Sequence, residues 1–153
     1  MGVPGLYGWI KNKYRSIIKQ KYKSQNVSTL IIDMNTLIHG AAQYSLGYGE
    51  WAEFKKLEYE KKQAVEIHNI IIKQVKIKIL ELYDRYQPSD ALIMAIDGCT
   101  SYAKLNQQRE RRLGVKEGDK GFKNWSGLEI TVGTPFMDRL QLEINELVDE
   151  GRI

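Results

Sequence analysis

Cysteine is nearly absent from this chain, proline is sparse and histidine is rare. One cysteine, Cys99, stands in 153 residues, beside three prolines and two histidines. A single thiol rules out an intrachain disulfide framework and fits a reducing compartment, cytoplasmic or nuclear. With two histidines far apart in sequence, no cysteine–histidine pair is suggested, and Cys99 reads as a small incidental residue. No apolar run approaches the ~20 residues that a membrane span needs, so no membrane partner is expected. The first 32 residues contain no acid at all, only six lysines and arginines. Residues 126–153 reverse this, with six acids against two arginines. The net charge of +4 is modest, but its separation into a basic start and an acidic end points to a directed surface.

What is present is one soluble domain's worth of chain, 42% hydrophobic and 27% charged. The stretch that organises it is Ala95 to Arg112, AIDGCTSYAKLNQQRERR. It begins at the end of an apolar run, Leu92 to Ile96, short and partly β-branched, which predicts a buried strand closed by Asp97. Open α/β sheets place ligand chemistry beyond the carboxyl ends of their strands. Thr100 or Ser101 can cap a following helix, since Ala103 to Arg112 contains no breaker. Such a helix sets Lys104, Gln108, Arg111 and Arg112 at i, i+4, i+7 and i+8, on one face. Three cations and an amide beside an acidic strand end suit a phosphate held near a metal ion.

Thr29 to Asp33 repeats that logic, a short apolar run ending in a carboxylate. Two such strands with a long helix between them fit a parallel crossover, which brings both carboxylates to one sheet edge. The helix is predicted over Ala64 to Tyr86, with Ala64, Ile67, Ile71, Val75, Ile79 and Leu82 as its inner stripe and Pro88 marking its end. His68 has no partner at metal-binding spacing and is assigned no role. Near the start, Leu6, Trp9, Ile10, Tyr14, Ile17 and Ile18 recur at helical spacing. Residues 43–62 read as a loop in which Tyr44, Tyr48 and Trp51 cover a core edge or stack on single-stranded bases. Residues 113–128 read as a mobile basic loop holding Phe122 and Trp125. Leu128 to Val132 is expected to be extended. Thr134 and Pro135 suit the start of a last helix through Phe136, Leu140, Ile144 and Val148.

Three ordered blocks carry a resemblance. AIDG followed by AKLNQQRERR resembles the AIDG, APRAK, MNQQR and RR run of the Xrn family of 5′-to-3′ exoribonucleases. Asp33 to His39, DMNTLIH, is similar to that family's LDMNGIIH or LDMNSILH run, and ITVGTPFM to its ITPGTEFM. The opening MGVPGLYGWI resembles the start of the same proteins and, more distantly, of flap endonucleases. The fold implied is α/β, a PIN-like or flap-nuclease-type parallel sheet with flanking helices, of which residues 1–153 form the amino-terminal portion.

The resemblance further implies metal-dependent phosphodiester hydrolysis of single-stranded RNA from a 5′-monophosphate end, using Mg²⁺ or Mn²⁺. Asp33 and Asp97 are the implied metal ligands and Lys104 a residue close to the scissile group. Lys104, Gln108, Arg111 and Arg112 are the implied pocket for the 5′-phosphate, and His39 stacks on a base of the entering strand. Ser101 and Tyr102 depart from the family's proline and arginine, which removes one cation. The family's next acidic block is expected after the helix ending near Glu150, whereas the sequence ends at Ile153. The expectation is therefore an amino-terminal part whose remaining ligands lie elsewhere, on a separate polypeptide for instance. The alternatives are an RNA 5′-end-binding module without turnover and a truncated, inactive remnant.

Overall fold

The structure, a computed structural model, describes residue 3 and residues 5–17, 26–54, 57–98 and 124–153. Its framework is a mixed α/β arrangement built on two parallel strands, β1 (Thr29–Asp33) and β2 (Ala91–Ala95). Thr29 pairs with Ala91 and Asp33 with Ala95. Side chains alternate across a strand, so Leu30, Ile32, Leu92 and Met94 turn towards the core, while Ile31 and Ile93, partners in register, face outward and are exposed. β2 begins and ends one residue earlier than the sequence suggests, which leaves Ile96 and Asp97 beyond the ladder.

Between the strands run α2 (Met34–Leu46) and α3 (Ala64–Tyr86), and α1 (Leu6–Lys13) precedes them. α3 has the predicted bounds, and Ile67, Ile71, Val75 and Ile79 are fully buried along one stripe. Ala64, at its first turn, is exposed rather than part of that stripe. Its start is fixed by a capping box, in which the backbone N–H of Gln63 donates to Glu66 Oε2 at 3.0 Å and the Gln63 side chain accepts in return. Its end comes at Gln87, which adopts φ 40°, ahead of Pro88.

α1 is shorter than its apolar spacing suggests. It stops at Tyr14, and a single 3₁₀ turn follows over Arg15–Ile17. Leu6, Trp9 and Tyr14 are exposed, with Trp9 and Tyr14 packed edge to face on each other. Ile18 lies outside the described residues.

Three further expectations are corrected. The segment 43–62 is not a plain loop, because α2 continues to Leu46 until Gly47, at φ 71°, ends it. Two 3₁₀ segments, Gly49–Phe54 and Leu57–Lys61, follow. Leu128 to Val132 is not extended. Gly127–Glu129 forms a 3₁₀ turn in which Ser126 Oγ accepts from the Leu128 N–H, and the Thr134 hydroxyl donates to the Glu129 carbonyl at 2.6 Å. Those local bonds consume backbone groups that a ladder would need. Trp125 belongs to the core and not to a mobile loop. It is 3% exposed, packs edge to face on Phe136, and donates through its indole N–H to the Tyr48 hydroxyl. Residues 113–123, with Phe122, lie outside the described residues.

The last helix, α4 (Pro135–Asp149), starts as predicted, with Thr134 Oγ1 accepting from the Met137 N–H and Pro135 in the first turn. Its buried stripe is Phe136, Met137, Leu140, Ile144 and Leu147, whereas Val148 is exposed. The core thus lies between the inner sheet face, α2, α3 and α4. His68, assigned no role from sequence, pairs with Glu129: its Nε2 meets Glu129 Oε2 at 2.5 Å, and its ring packs against both Trp125 and Phe136. Truncating a fully buried position should cost far more than truncating an exposed neighbour. Ile71→Ala is expected to lower unfolding free energy by about 2–5 kcal/mol and Val148→Ala by about 0.5 kcal/mol or less, read by urea denaturation.

Candidate functional site at the strand ends

Parallel pairing sends both strands out of the sheet at the same edge, where β1 ends on Asp33 and β2 is followed by Ile96 and then Asp97. Asp33 is the last residue of β1 and at the same time the N-cap of α2. Its carboxylate accepts the Thr36 N–H at 3.1 Å and the Thr36 hydroxyl at 2.8 Å. Both bonds favour the charged form, the backbone one most, and hold the Asp33 carboxyl below its ordinary value of 3.8. The positive end of the α2 dipole acts in the same direction.

Asp97 stands two residues past Ala95, the register partner of Asp33. Its backbone N–H donates to the Asn35 side-chain carbonyl at 2.9 Å. Asn35 sits in the first turn of α2, so one amide ties the exit of β2 to the helix that Asp33 caps. Both aspartates are exposed. Each Asp33 oxygen keeps a lone pair beyond its bond to Thr36, so capping does not exhaust it as an acceptor. Mg²⁺ is commonly held by one or two carboxylates while keeping several waters, and two exposed aspartates at one edge fit that donor set. Among the described residues no group of three or more histidine, cysteine, aspartate or glutamate side chains is gathered for a metal ion.

His39 lies on the exposed side of α2, near its middle, and its ring comes close to Gly127, where an added Cβ would stand 3.5 Å from His39 Cε1. The segment carrying Gly127 is clamped by Trp125 and by the His68–Glu129 pair. Lys104, Gln108, Arg111 and Arg112 lie outside the described residues, as do Ser101 and Tyr102. The structure therefore brings Asp33 and Asp97 to one edge and leaves the cationic helix face as an expectation. Asn35 and the His68–Glu129 pair were not singled out from sequence. An asparagine beside an aspartate and two polar residues 61 positions apart leave no periodic signal.

The family model described as XRN 5′-3′ exonuclease N-terminus matches residues 1–152. The chain belongs to that family. Among curated proteins it is similar to 5′-3′ exoribonuclease 2 of Candida albicans, 28% identical over 185 residues, covering 92% of this chain and 17% of that protein. The Cryptococcus neoformans protein of the same name is 27% identical over 195 residues, 94% of this chain and 16% of its own length. That of Saccharomyces cerevisiae is 24% identical over 185 residues, 92% and 17%. The chain thus spans about a sixth of the length of these relatives. No solved structure matches it at a significant level. No helix among the described residues is long and apolar enough to cross a membrane.

Capping and charge can be separated at Asp33. Asp33→Ala should destabilise the chain by about 1 kcal/mol and Asp33→Asn hardly at all, since asparagine caps as well as aspartate. The lowered pKa also sets the sign of the pH effect. The carboxylate's contribution is complete above 3.8 and is lost as pH falls below it through the depressed folded value. Asp33→Asn should therefore flatten the acid limb of the stability profile, measured by thermal unfolding between pH 5 and about 2.

Proposed function

We propose that this chain is the amino-terminal portion, residues 1–153, of a PIN-like nuclease domain that degrades single-stranded RNA in the 5′-to-3′ direction from a 5′-monophosphate. The observation that carries the reading is the meeting of Asp33 and Asp97 at one strand edge, in a chain of this family. Asp33 and Asp97 would hold Mg²⁺ or Mn²⁺ there. When bound, such ions supply an activated water and charge stabilisation for the departing oxygen. Residues beyond these 153, on the same or a separate polypeptide, would complete the ligand set.

The chain's own residues do the positioning. Asn35 holds the backbone at Asp97, and the α2 cap aims the Asp33 carboxylate outward from the strand. Lys104, Gln108, Arg111 and Arg112, on one face of the helix read from sequence, receive the terminal phosphate, with Lys104 nearest the scissile group. A 5′-cap or triphosphate would be too large for a pocket shaped to one phosphate. His39, placed on the exposed side of α2, offers its ring to a base of the entering strand. The single cysteine fits a reducing compartment for this activity, cytoplasm or nucleus.

A second reading, an RNA 5′-end-binding module without turnover, is favoured by one observation. Two carboxylates and no larger acidic group stand together among the described residues. The two readings part on metal-dependent mononucleotide release from 5′-monophosphorylated RNA, which only the first requires. Both share the phosphate pocket. Arg111→Ala should weaken binding of 5′-monophosphorylated RNA by about 10- to 100-fold, the range for losing a charge-assisted hydrogen bond, and that of 5′-hydroxyl RNA much less. Equal losses in a fluorescence-anisotropy titration would remove the pocket assignment.

A further inference from the structure

α2 exposes one continuous stripe from its N-cap to its last turn. Thr36, Gly40 and Tyr44 follow at i, i+4 and i+8, with His39 and Gln43 in the adjoining row. At the far end Tyr44 meets Trp51 edge to face at 5.0 Å, and Trp51 meets Phe54 at 6.0 Å. All three rings are exposed, Phe54 to 63%. Tyr48, the remaining aromatic of this region, is used differently: it packs on the core and bonds to Trp125. The turn carrying the rings is held hard against α2. Gly49, at φ 60°, approaches the Gln43 side chain so closely that a Cβ would lie 2.8 Å from Gln43 Cδ. The Tyr48 and Gly47 N–H groups both donate to the Gln43 carbonyl. An exposed aromatic row fixed by backbone geometry is a preorganised surface, because little ordering remains to be done on binding.

We propose that Tyr44, Trp51 and Phe54 form a stacking platform for bases of single-stranded RNA whose 5′ end lies at the Asp33 edge, the strand running along the exposed stripe of α2. This rests on the nuclease reading above and extends it to bases away from the scissile bond. Three features of the surface select that occupant. The platform is continuous with the Asp33 edge along a single helix face. Eleven residues of α-helix separate Asp33 from Tyr44, about 16 Å, which matches about five stacked nucleotides at ~3.4 Å each. Gly40 stands midway, and the space over it is open, with nothing within 4 Å of an added Cβ. Glu50 and Glu53, in the same turn, repel phosphates, so contact there has to be made through base faces.

The test is a length series of 5′-monophosphorylated and 5′-hydroxyl oligoadenylates, from 3 to 10 nucleotides, titrated against the 153-residue chain by fluorescence anisotropy. Wild type should gain affinity between roughly 4 and 8 nucleotides, the range set by the helix length. The combined variant Tyr44→Ala, Trp51→Ala and Phe54→Ala should lose about 10-fold or more on the 8-mer, the range of one or two lost stacks, and almost nothing on the 3-mer. Trp51→Phe should retain most of the affinity, since any π-face serves. Gly40→Leu adds a side chain over the open stretch; it should raise thermal stability, as glycine is a poor helix residue, and yet weaken the 8-mer. The platform's share of binding should resist added salt, unlike a phosphate contact.

Equal losses on 3-mer and 8-mer, an unchanged 8-mer, or no RNA binding by the wild-type chain would each overturn the proposal. Self-association abolished by the ring substitutions, without length-dependent RNA binding, would assign the patch to a second copy and also overturn it. Failure of the nuclease reading looks different. Length dependence that persists with no preference for the 5′-phosphate would remove the phosphate pocket and leave the platform standing.

Discussion

The parallel pairing of β1 with β2 is the constraint on which the rest depends. Antiparallel strands would deliver Asp33 and Asp97 to opposite ends of the sheet. A parallel pair delivers them to the same end, but it requires a long crossover, and α2 and α3 together supply it. At that end the local structure supplies hydrogen-bond donors and a helix dipole to the Asp33 carboxylate. Asp33 is neutralised in part by the first turn of α2, and the Asn35 amide fixes the exit at Asp97.

The crossover is also the core. α3 buries four β-branched residues along one stripe, in the same core as α2, α4 and the inner sheet face. The segment before α4 is fastened to α3 by polar as well as apolar contacts. His68 bonds to Glu129 while its ring packs on Trp125 and Phe136, and Trp125 reaches across to Tyr48. That junction connects the core to the exposed side of α2, since Gly127 lies against His39 and Tyr48 begins the aromatic turn. A single set of contacts therefore ties the histidine and the aromatic turn to the core.

Periodicity made the regular elements legible. β1, the bounds of α3 and the Thr134–Pro135 start of α4 follow directly from alternation, apolar stripes and cap chemistry. Elements governed by local side-chain bonds were not. Leu128 to Val132 has the composition of a strand, yet Ser126 and Thr134 bend it into a 3₁₀ turn. Trp125 sits in a glycine- and lysine-rich context that reads as loop, and only the Tyr48 hydroxyl and Phe136 ring show it as core. The stripe of α4 was misjudged by one residue, Val148 for Leu147, because a helix face drifts with each turn. At the candidate site, the two aspartates were legible because each closes an apolar run. The Asn35 side chain that accepts from the Asp97 N–H was not, since nothing in sequence says which atom Asn35 will meet across 62 positions.

The most direct test of the account is where a divalent ion lands. Titrating Mn²⁺ into isotope-labelled chain and following amide line broadening reports proximity without requiring turnover. The account predicts that signals of Asp33, Asn35, Thr36 and Asp97 broaden first and that Asp33→Asn, which keeps the cap, abolishes the effect at all four. Broadening that begins instead at the acidic face of α4, or that survives Asp33→Asn, would contradict the assignment of the strand edge as the metal-facing site.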